Sequence, residues 1–330
     1  MSSASVTVAI PVRNGSRFLL EILQAIRDQR LDRSLEILVA DSGSSDGSTD
    51  IAARMGARVL PVAPGSFSHG GTRNLLMSRS GGDHVAFLTQ DATPATTDWL
   101  QALLDGFRAA DDVALTYGPY VPRHGSSPWV ARELEDHFSA LARRGDQVDR
   151  AAVGLVEGAG DLTFFTSANG CVSRAAWQRV PFREVPYAED QMLARDMLAA
   201  GYAKVFCPRA GVLHSHDYSS AQYFRRCFDE WRGLREIHGH VESADPRRAA
   251  RYIVTNTRAD LGLMAARGTS GPQRLTGIVG SLLHHCVRVA GAIAGSRSDR
   301  MAPWLRRALS LEGRATFIRQ PAAPPPPPDA

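Results

Sequence analysis

The stretch Val6 to Val12, VTVAIPV, is an apolar run rich in β-branched residues, and the polar triplet RNG follows it directly. Apolar side chains then recur at helical spacing from Phe18 to Ile26. The first pattern is typical of a buried strand and the second of an amphipathic helix, so the sequence predicts strand, loop and helix in that order.

The same alternation continues along the chain. A second apolar run, residues 36–40, ends in the polar loop DSGSSDGS, and a third strand is predicted over 57–61. A helix over 72–79 and a strand over 84–88 follow. Strands alternating with helices indicate parallel βαβ units, in which ligands bind at the carboxyl ends of the strands. The polar loops of this sequence fall at those ends.

The composition of the 330 residues, 44% hydrophobic and 22% charged, excludes a disordered chain, a collagen and a disulfide scaffold. The four cysteines form no CxxC pair and are typical of buried residues in a reducing cytosol. The N-terminus lacks the basic segment of a signal peptide. Two histidines and an arginine interrupt the apolar stretch 275–294, which we therefore expect to fall short of a transmembrane helix.

The charge of the chain divides unevenly. Residues 1–217 hold 21 basic and 25 acidic side chains, whereas residues 218–330 hold 17 and 9. We interpret residues 1–217 as the globular α/β part, 218–320 as a basic helical region and 321–330 as a disordered proline-rich tail.

The basic region has two interpretations. It fits an anionic membrane surface, and it fits equally well a segment that packs on the rest of the chain or forms a dimer interface. It carries no nucleic-acid signature, and the oligomeric state stays open. The candidate membrane contacts are Arg225, Arg226, Arg232 and Arg235.

A carboxylate follows the second strand in the loop DSGSSDGS, residues 41–48. Asp41 is placed to accept hydrogen bonds from a base or a ribose hydroxyl, and the small residues let a ligand approach the backbone. Asp46 fits better as a cap of the helix that follows. The alternative for both is a turn without a ligand.

The Gly-rich turn FSHGGTRN, residues 67–74, leads into a helix that carries Arg73 in its first turn. Backbone amides, the positive end of a helix and a guanidinium together suit a phosphate. An ordinary glycine turn with a surface arginine is the alternative.

Asp91, in TQDA, stands at the tip of the strand over 84–88. A divalent cation held by one or two protein groups and by substrate phosphates requires a carboxylate in such a place. His214 and His216 follow a later apolar run, predicted as a strand over 203–216, and face the same side in extended geometry. Both histidines could therefore reach one metal or diphosphate.

The acidic pair Glu189 and Asp190 opens a predicted helix over 186–201. Acidic residues in a first helical turn are often only partners of the helix dipole. The alternative is a general base whose carboxylate projects from the helix start into a cleft.

In this order, the motifs DSGSSDGS, FSHGGTRN, TQDA, AEDQ and HSHDYS resemble those of glycosyltransferase family 2, and within it the bacterial rhamnosyltransferase-like members. The resemblance covers residues 6–218. It implies an α/β GT-A fold, with a mixed and mainly parallel sheet flanked by helices and a C-terminal helical appendage. The nucleotide-sugar-binding part would span about residues 1–120, and the acceptor and catalytic part 121–217.

The resemblance also implies roles for single residues. Asp91 would hold Mg²⁺ or Mn²⁺ as the last aspartate of the family's DXD motif, with help from His216 and, less strongly, His214. Asp190 would be the catalytic base, and Glu189 would orient it or contact the sugar. The sequence departs from the family at Gln90, where a carboxylate is usual. The nucleotide and sugar contacts would be Pro11, Arg13, Asn14, Asp41, Ser42, Gly70, Arg73, Gln90 and Asn169.

The expected activity is transfer, with inversion, of L-rhamnose from dTDP-L-rhamnose to a hydroxyl of a glycan or lipid-linked glycan in cell-surface polysaccharide or O-antigen synthesis. The expected location is the cytoplasm, with peripheral contact to the inner face of the membrane. The alternatives are a UDP-hexose transferase of the same fold, a nucleotidyltransferase, and a sugar-nucleotide or glycan binding protein without catalysis. A nucleotidyltransferase would need a richer basic glycine loop than RNG, and Asp91 with Asp190 argues against a binding protein.

Overall fold

The first half of the chain alternates strands and helices as the apolar pattern predicts. The computed structural model describes residues 6–63, 65–144, 148–150, 164–185, 187–216, 218–269 and 271–311. The elements of the first half are β1 (Val6–Val12), α1 (Ser16–Arg27), β2 (Leu35–Asp41), α2 (Ser48–Arg54), β3 (Arg58–Pro61), α3 (His69–Arg79), β4 (His84–Leu88), β5 (Thr93–Pro94), α4 (Trp99–Gly106), β6 (Val113–Tyr117) and β7 (Tyr120–Val121).

Helices dominate the second half. Its elements are α5 (Pro128–Arg143), β8 (Val148–Arg150), β9 (Asn169–Ser173), α6 (Arg174–Arg179), α7 (Glu189–Ala199), β10 (Ala203–Phe206), β11 (Val212–Leu213), α8 (Ser220–His238), α9 (Pro246–Ala266), α10 (Gly271–Gly295) and α11 (Pro303–Leu309), with a short 3₁₀ helix at Ser298–Arg300.

The large sheet has the strand order β3-β2-β1-β4-β9-β6-β10-β8. The pairs among β3, β2, β1 and β4 are parallel, as is β6 with β10, whereas β9 runs antiparallel to both of its neighbours. The predicted mixed, mainly parallel sheet is therefore confirmed. Because Val12 pairs with Asp41 and Leu88 pairs with Asn169, these four residues lie along one edge of the sheet.

The core explains why the sequence patterns were informative. The side chains of β1 and β4 are almost entirely buried, as a strand covered on both faces requires. The inward face of α1, from Leu19 to Ile26, packs against the same core. The helical spacing in the sequence therefore marks the buried stripe of that helix.

The predicted strand over 203–216 is wrong in its extent. β10 ends at Phe206, a turn closed by the hydrogen bond from Ala210 N to Cys207 O follows, and β11 joins a second sheet of order β5-β11-β7. Pro208 lies in that turn and has no N–H to donate to a continuing ladder. Consequently the chain reaches His214 at the edge of the small sheet, next to the segment after β4.

Helix α3 begins three residues before its predicted start. Its N-cap is Ser68, whose hydroxyl oxygen accepts a hydrogen bond from Gly71 N at 3.1 Å. A serine cap satisfies an amide at the helix start, so it moves the first turn back to His69.

The C-terminal helical appendage is confirmed over residues 220–309. Helix α10 packs against α8 and α9, and α5 packs against α9. Because these helices contact α5, which precedes residue 217, their packing does not define a boundary there, and the boundary stays a prediction. The predicted disordered tail, 321–330, lies outside the described residues.

The four arginines predicted as membrane contacts do not form one exposed basic face. Arg232 is buried, the Arg226 guanidinium lies over the ring of Tyr187 at 4.9 Å, and Arg235 pairs with Asp299 at 3.5 Å. These three side chains are held by contacts within the chain, whereas Arg225 is exposed. The prediction that the four arginines share one membrane-facing surface is corrected accordingly.

Helix α10 also differs from its prediction. Within the described residues, Gln273–Gly295 is long and apolar enough to cross a membrane by length and composition, although a third of its apolar window is buried in the protein. His284 and His285, which interrupt the apolar stretch in the sequence, are buried toward the protein. The outward face is therefore more apolar than the sequence suggests.

Candidate active site

The loops after β1 and β2 are tied together by hydrogen bonds. Asn14 N donates to Ser44 Oγ and Ser45 N donates to Asn14 Oδ1, both at 2.9 Å. Asn14 adopts a positive φ of 53°, a conformation that asparagine tolerates better than most residues. Arg13 is exposed beside it. The structure thus brings Arg13 and Asn14 to the same edge as the DSGSSDGS loop.

Two carboxylates hold the shape of that loop. Asp41 is buried and accepts hydrogen bonds from Gly43 N at 3.0 Å and Ser44 N at 3.1 Å. Asp46 accepts from Ser48 Oγ at 2.5 Å and from Ser16 N at 2.9 Å. These hydrogen bonds lower the pKa of Asp46 well below its usual range, and the bond from Ser48 has the largest effect. Asp46 therefore ties the loop to Ser16 and Ser48, but the N-cap of α2 is Gly47, so the cap predicted at Asp46 is wrong.

Two predicted nucleotide contacts border this loop. Pro11 is half-buried at the end of β1. Ser42 follows Asp41, and its Oγ is buried without a hydrogen-bond partner in the described part of the chain. A buried hydroxyl with unused bonding capacity is suited to a ligand.

Gln90 has a partner that the sequence did not indicate. Its Oε1 accepts a hydrogen bond from Arg13 N at 2.7 Å, although 77 positions separate the two residues. The side chain fixes the loop after β1 to the loop after β4. A neutral amide oxygen accepts this hydrogen bond as well as a carboxylate oxygen would. The glutamine at the position where the DXD pattern has a carboxylate therefore has a structural role.

Asp91, His214 and His216 lie together at the predicted position. His214 Nδ1 is 3.5 Å from Asp91 Oδ1 and His216 Nε2 is 3.4 Å from Asp91 Oδ2. Burial lowers the pKa of His214 to about 4, so its imidazole is neutral at pH 7. His214 Nδ1 is buried without a hydrogen-bond partner among the described residues. Two imidazoles and a carboxylate in such a group fit a divalent cation.

Two residues missed in the sequence support this cluster. Arg123 donates to Asp91 O at 3.0 Å and to Thr93 Oγ1 at 2.7 Å, which fixes the backbone of the segment after β4. The ring of Tyr120 lies against that of His214 with a centroid distance of 4.7 Å. Neither residue belongs to a recognisable motif.

Asp190 lies half-buried beside the buried Glu189 at the start of α7. Its Oδ2 accepts from Ser167 N at 3.1 Å and its Oδ1 accepts from Gln191 N at 2.8 Å. Arg73 Nη1 lies 2.8 Å from Glu189 Oε1, and both side chains are about 95% buried. The arginine predicted for a base or diphosphate is thus engaged with Glu189.

The environment of Asp190 favours a proton acceptor that works near neutral pH. Burial and, second, the charge of Glu189 raise the pKa of Asp190 to about 6, while Arg73 opposes the shift. A carboxylate with such a pKa is a stronger base than an ordinary aspartate and remains mostly ionised at pH 7.

The backbone before α7 is strained. Ala188 adopts φ 58° and ψ 39°, a left-handed conformation that costs an alanine about 1 kcal/mol. Its carbonyl accepts the hydrogen bond from Met192 N at 3.0 Å that closes the first turn. Strain of this kind is often found at functional sites, and here it sets the direction in which Glu189 and Asp190 leave the loop.

Asn169 and Gly70 are placed differently from what the resemblance implies. Asn169 is fully buried and binds three protein groups: Trp99 Nε1, Ala210 O and Pro119 O. A Cβ on Gly70 would lie 2.1 Å from Arg183 O, so this glycine allows two backbones to approach. Both placements favour structural roles over direct ligand contacts.

The substitution Asn169→Ala should lower the free energy of unfolding by about 3 kcal/mol, because it removes the hydrogen bonds that the side chain makes to the buried Trp99 N–H and to the Ala210 carbonyl. Urea denaturation measures the change. If the stability stays at the wild-type value and only the donor KM rises, Asn169 contacts the donor instead.

Comparison with known proteins decides the family. Residues 7–157 match the family model described as Glycosyl transferase family 2. The O-antigen chain rhamnosyltransferase RfbN of Salmonella typhimurium is 30% identical over 233 residues, 68% of this chain and 70% of the relative. The chain belongs to glycosyltransferase family 2. WbaN of Salmonella anatum, also an O-antigen chain rhamnosyltransferase, is 31% identical with the same two coverages.

A solved structure supports the fold of this family-2 glycosyltransferase. Mannosyltransferase PcManGT from Pyrobaculum calidifontis, solved with GDP-Man and Mn²⁺, has a TM-score of 0.57 and 17% identity, covering 89% of this chain and 88% of its own. The predicted GT-A fold is therefore confirmed. The family model ends at residue 157, so Asp190, His214 and His216 lie beyond it. Their roles stay predictions.

Proposed function

We propose that this family-2 glycosyltransferase transfers a sugar, with inversion, from a nucleotide-diphosphate donor to a hydroxyl acceptor. The observation that carries the proposal is the arrangement around Tyr120. Its hydroxyl hydrogen-bonds Thr166, next to the Ser167 amide that holds Asp190, and its ring packs on His214. A candidate base and a candidate cation site thus lie on two sides of one partly buried side chain.

The proposed donor is dTDP-L-rhamnose. The relatives RfbN and WbaN carry the name O-antigen chain rhamnosyltransferase, which supports rhamnose and an acceptor in O-antigen or related polysaccharide synthesis. The nucleotide would bind where the loops after β1 and β2 meet, near Arg13, Asn14 and Ser42. Asp41 shapes that pocket through its hydrogen bonds to Gly43 N and Ser44 N.

The proposed reaction is a single displacement. Asp190 accepts the proton of the acceptor hydroxyl as its oxygen bonds to the anomeric carbon, and the bond from that carbon to the diphosphate breaks. Attack opposite the leaving group inverts the anomeric configuration. Glu189, held by Arg73, keeps the pKa of Asp190 raised through its charge.

Asp91, His216 and His214 would hold a divalent cation. Such an ion, Mg²⁺ or Mn²⁺, supplies positive charge to the leaving diphosphate. Arg123 fixes the Asp91 backbone, and Gln90 joins the neighbouring loop to Arg13, so the carboxylate is in position before the donor arrives. That the neighbour PcManGT was solved with Mn²⁺ supports this assignment.

The proposed location is the cytoplasmic side of the membrane, where a lipid-linked acceptor would lie. Exposed Leu275, Val279, Leu282 and Leu283 give α10 an apolar outer face that supports peripheral contact. We also propose that the chain divides at residue 217, and that the helical appendage after it contacts the lipid that carries the acceptor.

The decisive test measures donor binding and hydrolysis for dTDP-L-rhamnose, UDP-glucose, UDP-galactose and GDP-mannose, each with and without Mn²⁺. We expect dTDP-L-rhamnose to bind most tightly and to be hydrolysed. Preference for a UDP-hexose would favour the alternative transferase. If a donor binds but is not turned over, even after a cell extract that contains acceptors is added, the result would favour a binding protein. If none of the four nucleotide sugars binds, the proposal is contradicted.

A further inference from the structure

A second group of possible metal ligands lies in the helical part of the chain, away from Asp91. Glu133 projects from α5, and His284 and His285 project from α10. His284 Nε2 is 3.1 Å from Glu133 Oε2, and His285 Nδ1 is 3.6 Å from Glu133 Oε1. His285 is fully buried and His284 is 91% buried.

Asp260 orients the ring of His285. His285 Nε2 lies 2.8 Å from Asp260 Oδ2, and the same oxygen accepts a hydrogen bond from Ser281 Oγ. With Nε2 engaged in this way, the nitrogen that faces Glu133 is Nδ1.

Two buried polar atoms therefore face each other in the protein interior. Glu133 Oε1 and His285 Nδ1 are both buried and have no hydrogen-bond partner among the described residues. Leaving such atoms unpaired costs free energy, and a cation bound to both would remove that cost. A distance of 3.6 Å is long for a direct hydrogen bond.

We propose that Glu133, His284 and His285 bind a zinc ion. Zinc bonds of about 2.0–2.2 Å in tetrahedral geometry place neighbouring ligand atoms about 3.4 Å apart, and the two observed separations from Glu133 bracket this value. Unlike the site at Asp91, this one has no substrate diphosphate to add oxygen ligands, so two imidazoles with one carboxylate suit zinc better than Mg²⁺, which prefers oxygen ligands. A metal bound at His284 Nε2 would replace the present contact between this nitrogen and Glu133.

The surroundings supply the outer contacts of a metal site. Asp260 orients His285 and is itself held by Ser281 Oγ and Arg132 Nε, each at 2.5 Å. A carboxylate that holds the far nitrogen of a ligating histidine is the usual second contact of a zinc site. The ring of Tyr223 stacks on His284 with a centroid distance of 4.1 Å and shields it from solvent.

One charge opposes a cation here. Arg288 is buried close to Glu133 and Tyr223, and Glu230 offsets part of its charge. Its guanidinium also lies over the ring of Trp231 at 4.9 Å. The carboxylates of Glu133 and Asp260 bring the opposite charge to the same place.

The ion would fasten α10 to α5. Phe138 of α5 packs against Tyr120 with a centroid distance of 5.1 Å, and Tyr120 packs against His214. The zinc would thus stabilise the helix that borders the active site without touching the reacting groups.

Metal content tests the proposal. The full chain, purified and dialysed against a weak chelator, should retain about one zinc per chain by elemental analysis, and Glu133→Gln and His284→Gln should lose it. His240→Gln, which changes an exposed histidine outside the cluster, is the matched control. Asp91→Asn should also keep its zinc, which separates this site from the one beside the donor. Zinc removal should lower the melting temperature, and added zinc should restore it.

A spectroscopic measurement guards against variants that fail to fold. Co²⁺ added to the metal-depleted Asp91→Asn protein should give the visible absorption bands of a tetrahedral site with nitrogen ligands. If this protein binds neither zinc nor Co²⁺ stoichiometrically, protons alone hold the cluster and the proposal is wrong. The donor experiments do not depend on this result, so the two proposals fail separately.

Discussion

Asp190→Asn should lower the rate of sugar transfer by about 100- to 10,000-fold, the usual contribution of a general base, while donor binding changes little. Asparagine is close to aspartate in shape, and its amide oxygen can still accept the hydrogen bond from Ser167 N. It cannot take the proton of the acceptor hydroxyl. The measurement is kcat for transfer together with the donor Kd by calorimetry.

Asp196→Asn is the matched control. Asp196 lies on the same helix, but its carboxylate pairs with Arg183 at 2.5 Å. This variant should transfer sugar at nearly the wild-type rate. A comparable loss in both variants would mean that α7 is merely destabilised, and full activity of Asp190→Asn would place the base elsewhere.

The pH profile adds an independent check on Asp190. Burial raises its pKa to about 6, and only the ionised form accepts a proton. Accordingly, kcat/KM for the wild type should rise with pH through about 6 and then level off. Removing the charge of Glu189, as in Glu189→Gln, should move this rise to lower pH, since the like charge contributes to the raised pKa.

Sequence was sufficient for the features that depend on local pattern. The buried strands β1, β2 and β4 appear as apolar runs, and the polar loops at their ends contain Arg13, Asp41 and Asp91. A parallel βαβ arrangement brings such ends to one edge, so their proximity could be predicted without coordinates. The motif order then added Asp190 and the two histidines.

The role of a side chain could not be predicted from the sequence where that side chain binds a residue far away in the chain. Arg73 suits a phosphate when considered alone, yet it pairs with Glu189, 116 positions away. Asn169 suits a sugar, yet Trp99 and two carbonyls use its amide. Local pattern carries no record of these contacts, which exist only after the sheet has formed. Arg123 was missed for the same reason.

The small sheet shows the same limit for backbone. β5, β7 and β11 contain two residues each, too few for any periodicity to appear in the sequence. Their pairing nevertheless brings His214 beside Asp91, because Leu213 pairs with Thr93. The metal-ligand hypothesis was therefore built on spacing, whereas the geometry that supports it comes from tertiary pairing.

Asp91→Asn should reduce Mn²⁺-dependent binding of the donor diphosphate by about 100-fold or more, a loss of roughly 3 kcal/mol, because the ionised carboxylate of the site is removed. Calorimetry of nucleoside diphosphate binding, with and without Mn²⁺, measures the effect. Wild type should bind more tightly with the metal, and the variant should respond little to it.

Two further variants make this test specific. Asp98→Asn alters an exposed aspartate seven positions along the chain and should behave as wild type. His216→Ala should weaken metal-dependent binding less than Asp91→Asn, since it removes one imidazole and leaves the carboxylate and His214 in place. Should Asp91→Asn retain the full response to Mn²⁺, the cation would have to be held by other groups. The departure at Gln90 would then mark a transferase that stabilises its leaving diphosphate without this aspartate.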